Sequence, residues 1–256
     1  MDVILVITLT SVFLTSLVFS MFGQGGGSLY TPILFLLGYT TLVSISTSLV
    51  LNLVTALFAT LIYFRSKLVN LRLALIFIPG IVIGSFLGGA WGNFINTTIL
   101  LWIFVVFLIG AGGRMVYSYW ETSSGEQPNQ FRPSLSVYTI VVLFSLAVGV
   151  LSGLLGVGGG ILIVPFLIFA YKISAKISAG TTAFIVIFSS LFGVLGHSAF
   201  GHLDYLLIAG TALAVAVGGA LGATLMSRTR AEWIKAGFGI IMLAFAVQLV
   251  EKLILL

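Results

Sequence analysis

The sequence GQGGGSLYTP spans residues 23–32, and GVGGGILIVP spans residues 156–165. Both stretches read G-x-G-G-G, then four residues, then proline, and they lie in different halves of the 256-residue chain. Consecutive glycines interrupt a helix, because each is about 1 kcal/mol less favourable than alanine in a helix interior. The repeated motif therefore predicts the same irregular loop at two places in the chain.

The composition is that of an integral membrane protein. Hydrophobic residues make up 60% of the chain, charged residues make up 7%, and the mean hydropathy is +1.26. A helix needs roughly 20 apolar residues to cross the hydrocarbon core. A transmembrane β-barrel is excluded because segments such as LLWIFVVFLIG are apolar on every side, whereas barrel strands alternate apolar and polar residues. The lipid bilayer is the expected environment, and we expect an all-α fold.

The apolar segments have two lengths. The two short segments follow the glycine loops, near residues 29–38 and 161–171, and reach only about half to two-thirds of the way across a core roughly 30 Å thick. The first long segment lacks the basic start and small-residue cleavage site of a signal peptide, so we expect it to be retained. Long segments are predicted near residues 2–22, 42–64, 73–91, 98–118, 137–155, 177–199, 205–226 and 232–254.

Further matches between the halves indicate an internal duplication. GGAWG at residues 88–92 corresponds to GGALG at 218–222, and SISTSLV at 44–50 corresponds to ISAGTTA at 177–183. Each half holds one short and four long segments in the same order, which predicts one domain made of two repeats. We assign the first repeat to residues 1–118, a polar linker to residues 119–136 and the second repeat to residues 137–256.

The distribution of basic residues favours two inverted repeats. If each glycine loop joins a helix and a short helix into a hairpin that enters and leaves by one face, most Lys and Arg residues lie on one side of the membrane. If the pair instead forms one broken helix, the two sides hold about equal numbers. The positive-inside rule favours the hairpin. It predicts both termini outside the cytoplasmic membrane and these residues inside: Arg65, Lys67, Arg72, Arg114, Arg132, Lys172, Lys176, Arg228 and Arg230.

The glycine loops are predicted to bind an anion. Irregular backbone at membrane depth is tolerated only where it is packed in protein or lines a polar cavity. Glycines permit positive φ angles and a close approach of backbone N–H groups to a ligand, and the N-terminus of the following short helix adds partial positive charge. Pro32 and Pro165 are expected in or near the first turn of those helices, where a missing N–H costs little. The predicted binding residues are Gln24, Gly25, Gly26, Gly27 and Ser28 in the first loop and Gly156, Gly158, Gly159 and Gly160 in the second.

The helix after each short segment carries hydroxyl groups that could line the same site. Thr47 and Ser48 in the first half, and Thr181 and Thr182 in the second, are the predicted lining residues. Asn52 is added because an amide inside a membrane span needs an interhelical partner or a ligand. Most other hydroxyl groups in these helices are expected to bond back to their own turn.

The two loops differ in their side chains. Gln24 and Ser28 can add hydrogen bonds to oxyanion oxygens, whereas the second loop has Val157 and Ile161 at those places. The predicted site is therefore asymmetric. The alternative interpretation is that Gln24 and Ser28 satisfy nearby carbonyls and that the loop glycines only allow close packing of helices.

Three residues near one helix end are candidates for proton coupling. His197 and His202 lie close in sequence to Asp204. A histidine beside a carboxylate can exchange a proton near neutral pH. The alternative is an interfacial hydrogen-bonded cluster.

No cofactor, metal site or nucleic-acid partner is expected. The chain has no cysteine, which excludes thiolate chemistry. The loops lack the sixth-position glycine or alanine of the Rossmann fingerprint and the Gly-Lys-Ser/Thr of a P-loop. The net charge of +5 is carried by short loops beside the spans, where membrane topology explains it. A membrane-embedded enzyme lacks support because no His, Asp and Glu residues cluster at a common site.

The duplicated glycine motif, the proline after it, the hydroxyl-rich helix and the later GGAxG together resemble the sulfite exporter family TauE/SafE. The stretch GHLD at residues 201–204 also resembles a loop common in that family, whereas KLVN at residues 67–70 departs from it. The resemblance covers nearly the whole chain and implies a transporter of sulfur-containing anions such as sulfite and organosulfonates.

A secondary transporter of a small anion is therefore the expected function, because inverted repeats with broken helices supply two related states for alternating access. A passive anion channel that uses the same loops as a filter is the alternative.

Overall fold

The computed structural model describes residues 3–91, individual residues between 102 and 117, and residues 135–198 and 205–254. All the secondary structure in these parts is helical. Residues described between 102 and 117 are also helical, although no bounds are assigned there. The bounded helices are α1 Val3–Met21, α2 Gly27–Leu36, α3 Thr41–Arg65, α4 Leu71–Trp91, α5 Leu135–Leu155, α6 Gly160–Tyr171, α7 Ala175–Ser198, α8 Tyr205–Arg228 and α9 Ala231–Ile254.

Five of these helices, namely α3, α4, α5, α7 and α8, are long and apolar enough to cross a membrane. Shorter apolar segments lie within α1, α6 and α9. The helices agree with the integral membrane protein expected from the composition. The short segments predicted near residues 29–38 and 161–171 correspond to α2 and α6, which contain 10 and 12 residues.

Helices from different halves pack closely through glycines. Gly84 and Gly88 of α4 lie against the backbone of α5 at Leu146 and Val150. In a helix, residues four apart share one face, so these glycines form a continuous contact stripe. The close approach explains why α4 and α5 make extensive contact although they belong to different halves.

The same contact recurs with the halves exchanged. Gly218 and Gly222 of α8 lie against the backbone of α1 at Phe13 and Leu17. In this geometry Gly84 corresponds to Gly218, and Gly88 corresponds to Gly222. The sequence match of GGAWG with GGALG, which equates Gly88 with Gly218, is therefore displaced by one helical turn. A helix with several small residues at spacing four allows this shift, because each register aligns glycine with glycine or alanine.

The direction of α3 relative to α7 follows from their contacts. Leu49 packs against Gly193, Asn52 contacts Ser190, and Gly180 lies against the backbone of Leu68, just beyond the end of α3. Residue numbers rise along one helix as they fall along the other. These two helices, which hold corresponding places in the two halves, therefore run in opposite directions.

The first helix runs in the same direction as α3. Ser16 Oγ lies 3.3 Å from Thr55 Oγ1, and the Tyr63 hydroxyl donates a hydrogen bond to the carbonyl of Ser20. The first glycine loop lies at the level of Asn52, near the middle of α3. Because α2 ends only a few residues before α3 begins, α2 runs back from this level toward the start of α3.

Candidate functional site

The two glycine loops contact each other in the interior of the protein. Gly27, the first residue of α2, lies against the carbonyl group of Gly156 in the second loop. Gly160, the first residue of α6, approaches Gln24 so closely that a Cβ there would lie 2.7 Å from the Gln24 Cα. Every residue of both loops is buried. The fold therefore brings the N-termini of α2 and α6 together.

Glycine is required where each loop joins its short helix. Gly26, the residue before α2, has φ of 139°, and Gly159, the residue before α6, has φ of 75°. A side chain in this region of φ is strained. A Cβ would also meet the ring of Tyr30 at 2.6 Å in the first case and Val148 Cγ1 at 2.9 Å in the second. Both backbone strain and lack of space therefore select glycine at these two positions.

Several backbone N–H groups of the loops remain available. Among the described residues, the N–H groups of Gly25, Gly26, Gly158 and Gly159 donate no hydrogen bond. Each lies within two residues of a helix N-terminus, where the helix dipole places partial positive charge. Buried N–H groups are almost always paired. Unpaired donors at two adjoining helix N-termini form a suitable environment for an anion.

Asn52 of α3 lies between the two loops. Its Oδ1 accepts a hydrogen bond from Gly27 N at 3.0 Å, and its Nδ2 donates to Ser190 Oγ of α7 at 2.8 Å. Side chains at Gly25 or Gly158 would collide with the Asn52 amide. The predicted need for an interhelical partner is met by Ser190, so the amide holds the first loop against α3 and ties α3 to α7.

Ser48 lies one turn before Asn52 and contacts both loops. Its Oγ is 3.0 Å from the Gly27 carbonyl oxygen and 3.1 Å from the Gly156 carbonyl oxygen. A single hydroxyl proton can be donated to only one of these oxygens at a time. Ser48 therefore lies at the junction of the two loops, within reach of an acceptor from each half.

Several buried polar side chains near the loops have no hydrogen-bond partner. Both amide atoms of Gln24 and the hydroxyl of Ser28 are unpaired, although these residues are only 1% and 2% exposed. The hydroxyl of Thr182 is also unpaired. Thr182 lies between Ala179, which meets Gly23, and Val186, which meets Gly158 and Gly160, so it shares the helix face that contacts the loops. In the described part of the chain, the buried side chains that have unpaired polar atoms are Gln24, Ser28, Ser46, Thr47, Thr60 and Thr182.

The second loop contributes apolar side chains instead. Val157 and Ile161 are 6% and 1% exposed and belong to the main hydrophobic core. The apolar residues that follow in α6, from Leu162 to Val164, are buried as well. Polar side chains therefore approach the loop junction mainly from the first loop and α3.

Thr181 and Thr47 have different surroundings. Thr181 Oγ1 accepts a hydrogen bond from Asn70 N at 3.0 Å, which joins α7 to the connection between α3 and α4. Asn70 Oδ1 in turn accepts from Leu73 N at 3.3 Å in the first turn of α4. The hydroxyl of Thr47 is unpaired.

Two networks of buried hydroxyl groups beside the loops were not singled out from the sequence. Ser189 Oγ of α7 lies 2.9 Å from Ser85 Oγ and 2.7 Å from Ser152 Oγ. In a separate network, the Tyr30 hydroxyl of α2 lies 2.9 Å from Thr55 Oγ1 of α3. The only sequence signal was the presence of isolated hydroxyl residues in apolar helices, which does not identify their partners in other helices.

His197 is buried near the end of α7. Its Nε2 lies 2.8 Å from the carbonyl oxygen of Gly153 in α5. A carbonyl only accepts, so this nitrogen carries the proton in the contact. His202 and Asp204, the other candidates for proton coupling, lie outside the described residues, and the coupling role stays a prediction.

The expected position of the prolines was wrong. Pro32 and Pro165 are each the sixth residue of their helices, and therefore lie in the second turn. The carbonyl groups of Ser28 and Ile161, four residues earlier, consequently receive no N–H from the proline position. The short helices begin two residues and one residue earlier than the apolar pattern suggested, because the last glycine of each loop is itself helical.

Every charged side chain whose burial is described is exposed or half-buried. Lys176, which is half-buried, donates to the carbonyl oxygen of Ser227 at 3.1 Å, at the end of α8. No group of three or more His, Cys, Asp or Glu residues that could hold a metal ion occurs in the described segments. The positive character at the loop junction therefore comes from backbone N–H groups and helix N-termini.

Comparisons with known proteins identify the family. The model of the family described as sulfite exporter TauE/SafE matches residues 8–249. The probable membrane transporter protein YunE of Bacillus subtilis is 27% identical to this chain, over 91% of this chain and 92% of the relative. A probable membrane transporter protein of Xylella fastidiosa is 29% identical, over 97% and 95%. No solved structure matches the chain.

The family match covers both glycine loops and nearly all the described helices. The relatives are named as probable membrane transporters, in agreement with a multi-pass membrane protein. The chain belongs to the sulfite exporter TauE/SafE family.

Proposed function

We propose that the protein is a secondary transporter that moves a small sulfur-containing anion, of the sulfite, thiosulfate or organosulfonate class, across the cytoplasmic membrane by alternating access. The observation that carries this proposal is the meeting of two glycine loops with unpaired N–H groups and unpaired neutral side chains. Such groups are costly to bury unless they acquire a partner. An anion supplies acceptors for all of these donors.

The proposed binding residues are the two loops together with the helix faces that contact them. Gln24, Ser28 and Thr182 supply unpaired side chains. Asn52 and Ser48 position the loops, because their polar atoms are engaged with loop backbone.

We further infer that residues 1–118 and 137–256 are inverted repeats joined by the linker at 119–136. The contacts of α4 with α5 recur between α8 and α1, as expected when a two-fold axis exchanges the halves. Because α3 and α7 run in opposite directions, this axis is perpendicular to the helices and lies in the membrane plane. Rocking of one repeat against the other would then expose the loop junction to each side in turn.

The parallel course of α1 and α3 favours a hairpin of α1 and α2 over one broken helix that crosses the membrane. A broken helix would leave α3 antiparallel to α1, contrary to the pairs Ser16–Thr55 and Ser20–Tyr63. With hairpins in both halves, the positive-inside rule puts both termini outside.

This topology is testable because the chain has no cysteine. Single cysteines placed at Lys67 and just beyond the C-terminus are exposed to an impermeant thiol reagent in intact cells. We expect the C-terminal cysteine to react and Lys67→Cys to react only after the cells are opened. The reverse pattern would contradict the proposed orientation.

A transporter and a passive anion channel make different predictions for flux. The loops are buried on all sides in this structure, with Gln24 only 1% exposed, and a continuous open pore would leave such a filter wetted. In proteoliposomes loaded with unlabelled sulfite, a carrier should drive transient accumulation of labelled sulfite against its gradient. Saturation of the initial rate should accompany this counterflow. Linear flux without counterflow would favour the channel.

A further inference from the structure

We propose that the junction of the two loops selects anions by charge and accepts monovalent anions, such as hydrogensulfite and organosulfonates, in preference to dianions. The disfavoured dianions include thiosulfate, sulfate and the fully deprotonated form of sulfite. This inference rests on the proposed function and narrows it from a class of sulfur compounds to one charge state.

The positive charge available at the junction is small. Each helix N-terminus carries the equivalent of about half an elementary charge, so α2 and α6 together supply about one. Every Lys and Arg side chain whose surroundings are described lies exposed or half-buried. One negative charge is therefore balanced at the junction, whereas a second would be buried without compensation.

The side chains at the junction are neutral and unpaired. Gln24 is 1% exposed, Ser28 is 2% exposed and Thr182 is fully buried, and their polar atoms have no partner. Gln24 lies between the helix N-termini, since it precedes α2 and its Cα adjoins Gly160 at the start of α6. The unpaired side chains are a second observation, besides the helix N-termini, that points to a ligand-binding site here.

The chemistry of Gln24 suits a protonated oxyanion. The amide offers two N–H donors and one carbonyl acceptor. Hydrogensulfite presents acceptor oxygens and one proton, and so can use both halves of the amide. A sulfonate uses the donors alone, and a dianion gains only acceptors that bring uncompensated charge with them. Arg and Lys are the side chains that proteins favour for compensating the charge of oxyanions such as phosphate.

The protein itself has few ionisable groups near the junction. Among the described residues, the buried ionisable side chains on helices that pack against the loops are Tyr30 of α2, Tyr63 of α3 and His197 of α7. The charged side chains described on these helices and their connections lie at helix ends: Arg65, Lys67, Arg72, Lys172 and Lys176. His197 lies beside α5, which leads into the second loop, so its titration must be separated from that of the ligand.

The test measures binding of methanesulfonate, sulfite and sulfate to purified wild-type protein at a series of pH values. Methanesulfonate keeps one charge throughout, whereas hydrogensulfite loses its proton. The ratio of apparent sulfite affinity to methanesulfonate affinity cancels any protein titration that affects both ligands alike. We expect this ratio to fall about tenfold for each pH unit above the second ionisation of sulfite. Sulfate should bind at least tenfold more weakly than methanesulfonate.

The possible results separate this inference from the proposed function. A ratio that stays constant across pH, or sulfate binding as tight as methanesulfonate binding, would overturn charge selection while leaving an anion site in place. If none of the three anions binds, although a thermal unfolding measurement shows that the protein is folded, the proposed function would be overturned as well. Gly38→Ala, beyond the opposite end of α2 from the first loop and with open space around it, serves as the matched binding-competent variant.

Discussion

The two glycine loops share a backbone design but differ in what surrounds it. Each contains a glycine of positive φ directly before a short helix, at Gly26 and Gly159. The first loop is held by the amide of Asn52 through Gly27 N, whereas Gly160, the corresponding residue of the second loop, donates no hydrogen bond to a described residue. The side chains of the second loop and the start of α6 are apolar, as the buried Val157 and Ile161 illustrate.

Because of this difference, the two loops contribute similar backbone N–H donors but different side chains. The backbone donors are duplicated, so both halves contribute to the proposed anion site. The polar side chains are concentrated in the first half, so that half holds its loop by side-chain contacts and supplies the side-chain selectivity that we propose. Substitutions at corresponding positions of the two loops can therefore distinguish the role of the shared loop backbone from the role of the polar side chains that only the first loop has.

The largest expected effect comes from the loop backbone that both halves share. Gly26→Ala and Gly159→Ala should each reduce saturated flux by more than tenfold, because a Cβ imposes strain of about 1–2 kcal/mol and collides with Tyr30 or Val148, which displaces the loop N–H groups. Flux is measured in proteoliposomes with equal amounts of folded protein. Gly38→Ala is the control, because Gly38 also has positive φ, of 96°, but has open space around it. Normal flux in both loop variants would remove the backbone site and leave close packing as the role of these glycines.

A smaller effect is expected for the attachment that only the first loop has. Asn52→Leu keeps the approximate size of the side chain but leaves Gly27 N–H buried without an acceptor. The free energy of unfolding should fall by roughly 1–3 kcal/mol, measured as loss of thermal stability in detergent. Ser190→Ala removes only the second partner of Asn52 and should have a smaller effect. Equal stability of Asn52→Leu and wild type would show that the amide does not hold the loop.

Ser48 of α3 has a hydrogen-bonded hydroxyl group, whereas the hydroxyl group of Thr182 of α7 is unpaired. Substitutions at these two positions compare the two cases. Ser48→Ala should lower stability by about 1–2 kcal/mol because a loop carbonyl loses its donor, and Ser48→Thr should restore it. Thr182→Val should leave stability unchanged or raise it, since the Thr182 hydroxyl has no partner, while weakening anion binding. Thermal unfolding without ligand and titration with methanesulfonate distinguish the two. A loss of stability in Thr182→Val with unchanged affinity would contradict a ligand-binding role.

The mildest effect is expected at the loop tip. Gln24→Ala should raise the Kd for an anion roughly 2- to 12-fold, equivalent to about 0.5–1.5 kcal/mol for one neutral hydrogen bond. Val157→Ala, the corresponding change in the second loop, should leave selectivity among anions unaltered. Binding is measured on protein normalised for folded fraction. Identical affinities of Gln24→Ala and wild type would assign the shared backbone all of the binding.

The sequence was sufficient to predict the features that are local along the chain. The glycine loops, the short helices α2 and α6 and the long helices follow from helix-breaking residues and apolar length, which act within a few residues. The side-chain asymmetry of the loops could also be predicted from the sequence, since Gln24 and Val157 stand at the same place in the repeated motif.

The features that depend on distant partners were not predictable. Asn52 was expected to need a partner, but nothing in its neighbourhood identifies Ser190, which lies 138 residues away. The pairing of Ser189 with Ser85 and Ser152 is hidden for the same reason. The displaced match of GGAWG arose because small residues at spacing four fit in more than one register, and only the contacts with Leu146 and Phe13 select one.

The exchange of helices between halves also affects how the chain is made. Ser16 of α1 donates to the carbonyl oxygen of Val215 in α8, 199 residues later, at 2.6 Å. At a synthesis rate of 5–20 residues per second, α1 waits about 10–40 s in the membrane before α8 emerges. During that interval its glycine-contacting face meets lipid or the insertion machinery, and the first half cannot complete its core. Premature truncation anywhere before α8 therefore leaves α1 with its contact face uncovered by protein.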